Sequence, residues 1–409
     1  MFHSLRIRNY RLFFWGSLAG NIGVWMQRTA QAWVVLTITD GNAFALGIVT
    51  FLQFVPTLLF SLYAGVIADK FDRVSVLIVT QSLIGVEGIA MSVLDIGGNL
   101  HLTQVYVLAA ILGVITAFDV PSRQAFVSDL VGSKSVANAV GLNSASFNVA
   151  RLLGPAIAGL MIGTVGTAPV FVTHALGSAA IVTSLLLIDR SALLSRLRDA
   201  ATDPRLSDAL RFLRENPPII LMIVVAGFMS AIGINSLYVV LPLVATDEFE
   251  AGAFGFGILT SALGLGSLGG ALFSARSSGI PSARRVFTAA IVFGIAQVIA
   301  SLMSTFIAFA LLLVAVGACF MLFVTSVNTS VQLSTLAQVR GRVMAVYMMF
   351  FLGGGAFGAP VLGIVCTMIG PLPTIAVSGG LGVFAGGTGW LLMRYLERRP
   401  GTGFTEALT

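Results

Sequence analysis

The sequence predicts an all-α polytopic membrane protein: twelve transmembrane helices in two six-helix bundles, with both termini cytoplasmic. Three observations carry that expectation. Of 409 residues, 57% are hydrophobic and only 10% charged, whereas a soluble domain carries about 25% charged residues; mean hydropathy is +0.96. Apolar runs of about twenty residues, the length that crosses a bilayer, recur along the whole chain. Finally, the basic residues cluster in alternate connections and not in any soluble domain.

Taken in order, the apolar runs of the first half are roughly 12–38, 45–68, 75–95, 103–123, 137–163 and 167–188. Those of the second half are roughly 218–243, 254–274, 285–303, 306–329, 343–369 and 372–394. The first run is too long for a cleavable signal and leads into a second span instead of a small-residue cleavage site. The expected domains are an N-terminal bundle over 1–188, a cytoplasmic linker over 189–216 and a C-terminal bundle over 217–409. In the linker, Leu206, Leu210 and Leu213 share one helical face with Arg205, Arg211 and Arg214 around it. That pattern fits a helix lying on the membrane surface and equally a soluble linker helix.

All 23 Lys and Arg residues except Arg28 and Arg151 fall in the N-terminus, after even-numbered spans or in the C-terminus. The other side is marked by Asp40, Asp95, Asp247, Glu248 and Glu250. The positive-inside rule therefore places both ends in the cytoplasm. This placement also sets aside nucleic acid as the partner of a chain with net charge +6. Cys319 and Cys366 lie inside apolar runs with no Cys or His at ligand spacing, so neither a disulfide framework nor a metal site is expected. No phosphate-binding Gly-rich loop and no nucleophile–base set is present, so the chain reads as a non-enzyme without cofactor.

The connection between spans 2 and 3 is the most informative stretch. Gly65–Leu77, GVIADKFDRVSVL, places Gly65, Asp69 and Arg73 at four-residue spacing. A glycine there lets a neighbouring helix approach closely. An acid at a helix C-terminal end, where the dipole disfavours negative charge, needs a basic or helix N-terminal partner. A short charged anchoring turn would also explain it. The pattern resembles the signature loop between helices 2 and 3 of the major facilitator superfamily, with Asp72 where many members have glycine and Val74 in place of a second basic residue.

GNIGVWMQRTAQAWVVLTITD in span 1, DVPSRQAFVSDLV after span 4 and NVARLLGPAIAGLMIG in span 5 resemble the bacterial enterobactin-exporter-like group of that superfamily. Ala150, Gly154, Pro155, Ala158 and Gly159 approximate its antiporter motif, with alanine at two glycine positions. The halves also repeat. AFALGIVT at the start of span 2 is echoed by AFGFGILT in span 8, and Gly154-Pro155 by Ala359-Pro360. Two such bundles are a known transporter plan.

The resemblance implies a secondary active transporter in a bacterial inner membrane. It would export a small organic molecule, drug-like or siderophore-like, by alternating access, among membrane lipids and as a monomer. An uptake or lipid transporter and a non-transporting sensor are the alternatives. By the family's pattern Asp119 would pair with Arg73 and complete a latch with Asp69, a plain interfacial charge being the other reading. A proton is the coupling ion the family suggests, although many proton-coupled members carry an arginine in mid-span 4 and YVLAAILGVITAF has none.

Intramembrane polar groups supply the candidate site, because a central Arg costs about 2.5–3.5 kcal/mol on insertion scales. On a helical wheel Ser17, Asn21, Gln27, Arg28 and Gln31 fall within an arc of about 120°. In the resembled fold this helix lines the central cavity. Arg28 is then a substrate contact or one member of a structural ion pair. Ser144, Asn148 and Arg151 form a narrower stripe in span 5, where packing or gating competes with substrate contact. Asn235 and Asn328 are second-half wall candidates, or polar packing. Glu87 is the acid deep in a span, a coupling group or an internal pair, and His174 reads as an interfacial histidine.

Overall fold

The computed structural model describes residues 3–132, 135–194, 206–276, 281–336 and 338–398, without the side chains at 61, 62, 65, 66, 68, 69 and 206. Among the described residues thirteen helices follow one another with short connections. They are α1 (Arg8–Ile38), α2 (Ala43–Lys70), α3 (Arg73–Ile96), α4 (Leu102–Val131), α5 (Val136–Val165), α6 (Ala168–Leu186) and α7 (Leu206–Glu215). Then come α8 (Pro217–Glu248), α9 (Gly252–Ala275), α10 (Ala283–Ser301), α11 (Phe306–Leu333), α12 (Arg340–Ile369) and α13 (Pro371–Glu397). Eleven of these described helices are long and apolar enough to cross a membrane. α7 is too short, and α1, with Arg8, Arg11, Arg28 and its polar stripe, is the remaining long helix.

Local chemistry explains many of the helix ends. Asn42, Asp72, Ser282 and Thr305 each accept a backbone N–H from the first turn of the helix they precede, which satisfies one of its orphan donors. Proline opens α8 and α13, where a missing N–H costs nothing. One end differs from the sequence expectation. α4 continues through Pro121 to Val131 rather than stopping near 123, so two further turns project beyond the expected span.

The chain divides into two compact units, Met1–Asp199 with Glu250–Ser261, and Ala200–Phe249 with Ala262–Thr409. In the first unit α1 packs on α4, α5 and α6, α3 on α4 and α6, and α2 on α4. Small residues set these crossings. A Cβ added at Gly113 on α4 would lie 2.6 Å from the Gln53 carbonyl oxygen of α2, and one at Gly154 on α5 2.6 Å from Trp25 Cβ of α1. Gly159 closes likewise on Gly257 at the start of α9, within the same unit. Lipid tails are as apolar as leucine, so close backbone approach, not hydrophobic exclusion, holds such helices together. Near the start of α1, Tyr10, Phe13, Leu77, Phe126, Val127 and Leu130 form an apolar cluster. The Tyr10 hydroxyl donates to the Ala139 carbonyl at 2.8 Å within it.

In the second unit α10 packs on α11 and α13, and α8 lies against α10, α11, α12 and α13. α8 carries a widened π turn at Ser230–Ile234 and another at Val244–Glu248. α7 rests on α8 and α12 through Ala209 and Leu213, both buried, while Leu210 is exposed.

Candidate functional site

The polar stripe of α1 divides between the interior of the first unit and its accessible surface. Gln27 is fully buried, and its Nε2 donates to both carboxylate oxygens of Glu87 on α3 at 3.0 Å. Gln31 is also buried and accepts from Gln53 Nε2 at 2.7 Å. Asn21 donates to the Ser146 hydroxyl of α5 at 3.3 Å. Arg28 is the exposed member. These side chains lie on one arc of the wheel, but α1 is buried by α6 on one edge of that arc and meets α5 on another.

Arg28 stands over two aromatic faces, 5.3 Å from the Trp25 ring centroid and 5.7 Å from that of Phe54. Arg151 of α5, 5% exposed, stands over the same Trp25 ring at 5.6 Å, and Phe147 meets that ring edge-on at 5.7 Å. A guanidinium over a ring face is attracted by the ring quadrupole. Asn148, one turn below Arg151, bonds back to the Ser144 carbonyl at 2.8 Å, and its Oδ1 is buried without a hydrogen-bond partner. Two cations thus share one tryptophan in a unit whose spans otherwise carry few charges. Sequence reasoning named both arginines and missed Trp25, because a lone tryptophan in an apolar run gives no signal.

At the α2–α3 connection the ion pairs differ from those expected. Arg73 donates to both oxygens of Asp129, at 2.7 and 2.9 Å. Asp119 is buried instead between Thr80 Oγ1 at 2.8 Å, Gln81 Nε2 at 2.7 Å and Arg123 at 2.8 Å. The extra turns of α4 are the physical reason, since they carry Asp129 to Arg73 and leave Asp119 nearly three turns deeper beside α3. Gly65 and Asp69 lie on α2, and their side chains are outside the described residues.

Asp72 caps α3 by accepting from the Ser75 N–H at 3.0 Å and hydroxyl at 2.6 Å, and Arg190 reaches it at 3.3 Å. Partial burial pulls its carboxyl up, but the Ser75 hydrogen bonds and Arg190 outweigh that and hold it below the usual carboxylate range.

The remaining candidates are structural in their contacts. Asn235 of α8 donates to the Gly355 carbonyl of α12 in a short hydrogen bond. Asn328 of α11 faces the buried Tyr347 hydroxyl. His174 lies fully buried with Nε2 3.9 Å from Glu87 Oε2, not at an interface. No group of three or more His, Cys, Asp or Glu among the described residues is arranged to hold a metal.

A family model described as "Transmembrane secretion effector" matches residues 1–396. The chain is 34% identical over 167 residues to the staphyloferrin A transporter of Staphylococcus aureus, a match covering 41% of this chain and 42% of that protein. It is 26% identical over 381 residues to the multidrug efflux pump Tap of Mycolicibacterium fortuitum, covering 89% of each. Among solved structures, the nucleoside transporter NupG superposes with TM-score 0.72 at 14% identity, over 95% of this chain and all of that one. The D-xylose–proton symporter superposes with TM-score 0.74 at 12% identity, over 93% and 97% of the two chains. At these identities the structures speak for the fold alone.

Proposed function

This chain belongs to the transmembrane secretion effector family of major facilitator transporters, and from that premise we propose that it exports a small anionic or oxygen-rich organic molecule by alternating access. The observation that carries the reading is the pair of guanidiniums on Trp25. Arg28 is exposed on α1 and Arg151 lies behind it on α5. A fixed positive charge in low dielectric favours an anion or several oxygen acceptors, and two planar forks suit carboxylate or catecholate oxygens. The staphyloferrin A relative supports a siderophore-like cargo.

The same reading takes α1 as the twelfth span, both termini as cytoplasmic and the membrane as a bacterial inner membrane. Domains 1–188 and 217–409 act as the two moving bundles, and Arg73 with Asp129 and Asp69 works as the latch. Secondary transport needs no cofactor in this account. A second reading has its own observation. Trp25, Phe54 and Phe147 present aromatic surface beside the arginines, which suits an amphiphilic drug, and the Tap relative is named a multidrug efflux pump.

A thermal-shift screen of the purified protein separates the two, because a ligand that binds only the folded state raises its stability by mass action. Citrate, a catecholate and a neutral macrolide are the probes. The account expects stabilisation by the first two and its loss in Arg28→Ala. Stabilisation by the macrolide alone, unchanged in Arg28→Ala, would favour the second reading.

A further inference from the structure

The buried carboxyl of Glu87 sits in a chamber assembled from three helices. α1 contributes Gln27, whose amide N–H groups reach both carboxylate oxygens at 3.0 Å. α6 contributes His174, whose Nε2 is 3.9 Å from Oε2. Gln27 and His174 are 0% exposed and Glu87 is 3% exposed. The chamber is shaped for the imidazole. A Cβ at Gly23 of α1 would lie 3.0 Å from His174 Cα, and one at Gly88 of α3 would lie 3.1 Å from His174 Cδ2.

The hydrogen-bond inventory of this chamber lacks one proton. Gln27 Oε1 and His174 Nε2 are buried without a hydrogen-bond partner, while the Gly23 backbone of α1 stands beside the other side of the imidazole. An ionised carboxylate is an acceptor only, so it offers nothing to Gln27 Oε1 or to an unprotonated imidazole nitrogen. A carboxylic acid has one O–H to donate. A small turn of the Gln27 amide brings Oε1 opposite that O–H while its N–H still serves the second oxygen. A slight closure of the 3.9 Å gap gives His174 Nε2 the same role. Leaving the carboxylate charged, with a neutral amide as its close donor, is the costlier state.

The second unit supplies an internal control. The offset that relates Ala43 of AFALGIVT to Ala253 of AFGFGILT also relates Glu87 to Gln297. Gln297 of α10 plays the corresponding part with a permanent amide: its Nε2 donates to the Gly233 carbonyl of α8 at 2.7 Å and to the Ser236 hydroxyl at 3.0 Å. There the crossing of α10 with α13 is glycine on glycine, Gly294 against Gly379, with no imidazole. One unit therefore locks its first helix with a group that cannot titrate. The other uses an acid and a histidine at the matching place.

We propose that Glu87 is a proton-binding site, closed by Gln27 and His174, and that its protonation state sets how tightly α1 is held against α3 and α6. The other charged groups nearby are already engaged. On α4, Asp119 is bound by Arg123, Thr80 and Gln81. At the far end of α3, Asp95 accepts from the Thr167 hydroxyl. On α5, Arg151 stands over Trp25. Gln27 and Arg28 are consecutive on α1, so a change in the grip on Gln27 is passed to the helix that presents Arg28. By linkage, a ligand that prefers one position of α1 then changes proton affinity, and the proton changes ligand affinity equally.

The site can be read without any ligand, so the result is independent of the transport reading. The protein is labelled with 13C at the glutamate side-chain carboxyl, and infrared difference spectra are recorded across pH. The other described glutamates, Glu215, Glu248, Glu250 and Glu397, are exposed, and comparison with Glu87→Gln separates their signal from that of Glu87. A labelled carboxylic-acid C=O band near neutral pH, lost on alkaline titration and absent over that same pH interval in Glu87→Gln, is the expected result. In parallel, hydrogen exchange of the α1 amides around Gln27, corrected for intrinsic rates, should speed up over the same pH interval in wild type and stay flat in Glu87→Gln. Absence of the band in wild type, or its persistence in Glu87→Gln, overturns the proton site. A band that titrates while α1 protection stays constant overturns the control of packing. If Glu87→Gln does not fold, the wild-type spectra and exchange data decide alone.

Discussion

Arg28 and Gln27 are neighbours on α1 and serve different chemistry: one lies over aromatic faces at an accessible surface, the other fills a sealed chamber. The wheel placed both on one arc, and nothing in their residue types distinguishes inside from outside. That depends on which edge of the arc α6 covers, which composition does not encode. Glu87 was legible as a costly charge, yet its partner was not, since Gln27 and His174 lie 60 and 87 positions away from it in sequence. Asp72 shows the opposite case. It departs from the family loop, where many members have glycine, and it is a helix cap. Asp72→Ala removes that cap and should lower stability by about 0.5–2 kcal/mol, read as a drop in melting temperature. Its folded carboxyl lies below the unfolded value, so the stabilisation is present above the unfolded pKa and lost as pH falls through the folded one. The difference between wild type and Asp72→Ala should therefore shrink on acidification, and a difference independent of pH would contradict the assigned partners.

Along each helix, glycine marks the places where backbones meet, but not every glycine does so. Gly113 of α4 lies against the Leu52 and Gln53 carbonyls of α2, whereas Gly163 of α5 has open space where a Cβ would stand. Gly113→Ala overpacks the crossing and should cost about 1–3 kcal/mol. Gly163→Ala should be neutral or stabilising, because alanine is favoured over glycine in a helix by roughly 0.5–1 kcal/mol. Melting of both variants in one detergent checks the pair, and equal shifts would refute the packing assignment. Most helix limits were legible, because apolar length and capping residues such as Asn42 and Thr305 are local signals. The end of α4 was not. The apolar run ends near 123 whereas the helix continues to Val131, and the Arg73–Asp129 pair exists because of those extra turns.

For the molecule as a whole, the family and the plan of apolar helices were legible from composition and from the loop after span 2, whereas the cargo is a property of a few side chains. Orientation rests on charge alone. In a protein lacking Cys319 and Cys366, single cysteines at Asn99 or Glu248 should react with an impermeant thiol reagent from outside the cell, and one at Ser207 should not; the reverse pattern would invert the topology. The central claim is that Arg28 holds an anionic or oxygen-rich cargo during export. Hydrogen bonds to charged groups are worth about 1.5–3 kcal/mol, so losing the guanidinium should weaken cargo binding roughly 10- to 150-fold. The most direct measurement is flux of a compound identified by the thermal-shift screen through proteoliposomes holding equal amounts of wild type, Arg28→Lys and Arg28→Ala. The account predicts full flux for wild type, reduced flux for Arg28→Lys, which keeps the charge without the fork, and background flux for a folded Arg28→Ala. Wild-type flux from Arg28→Ala would contradict it.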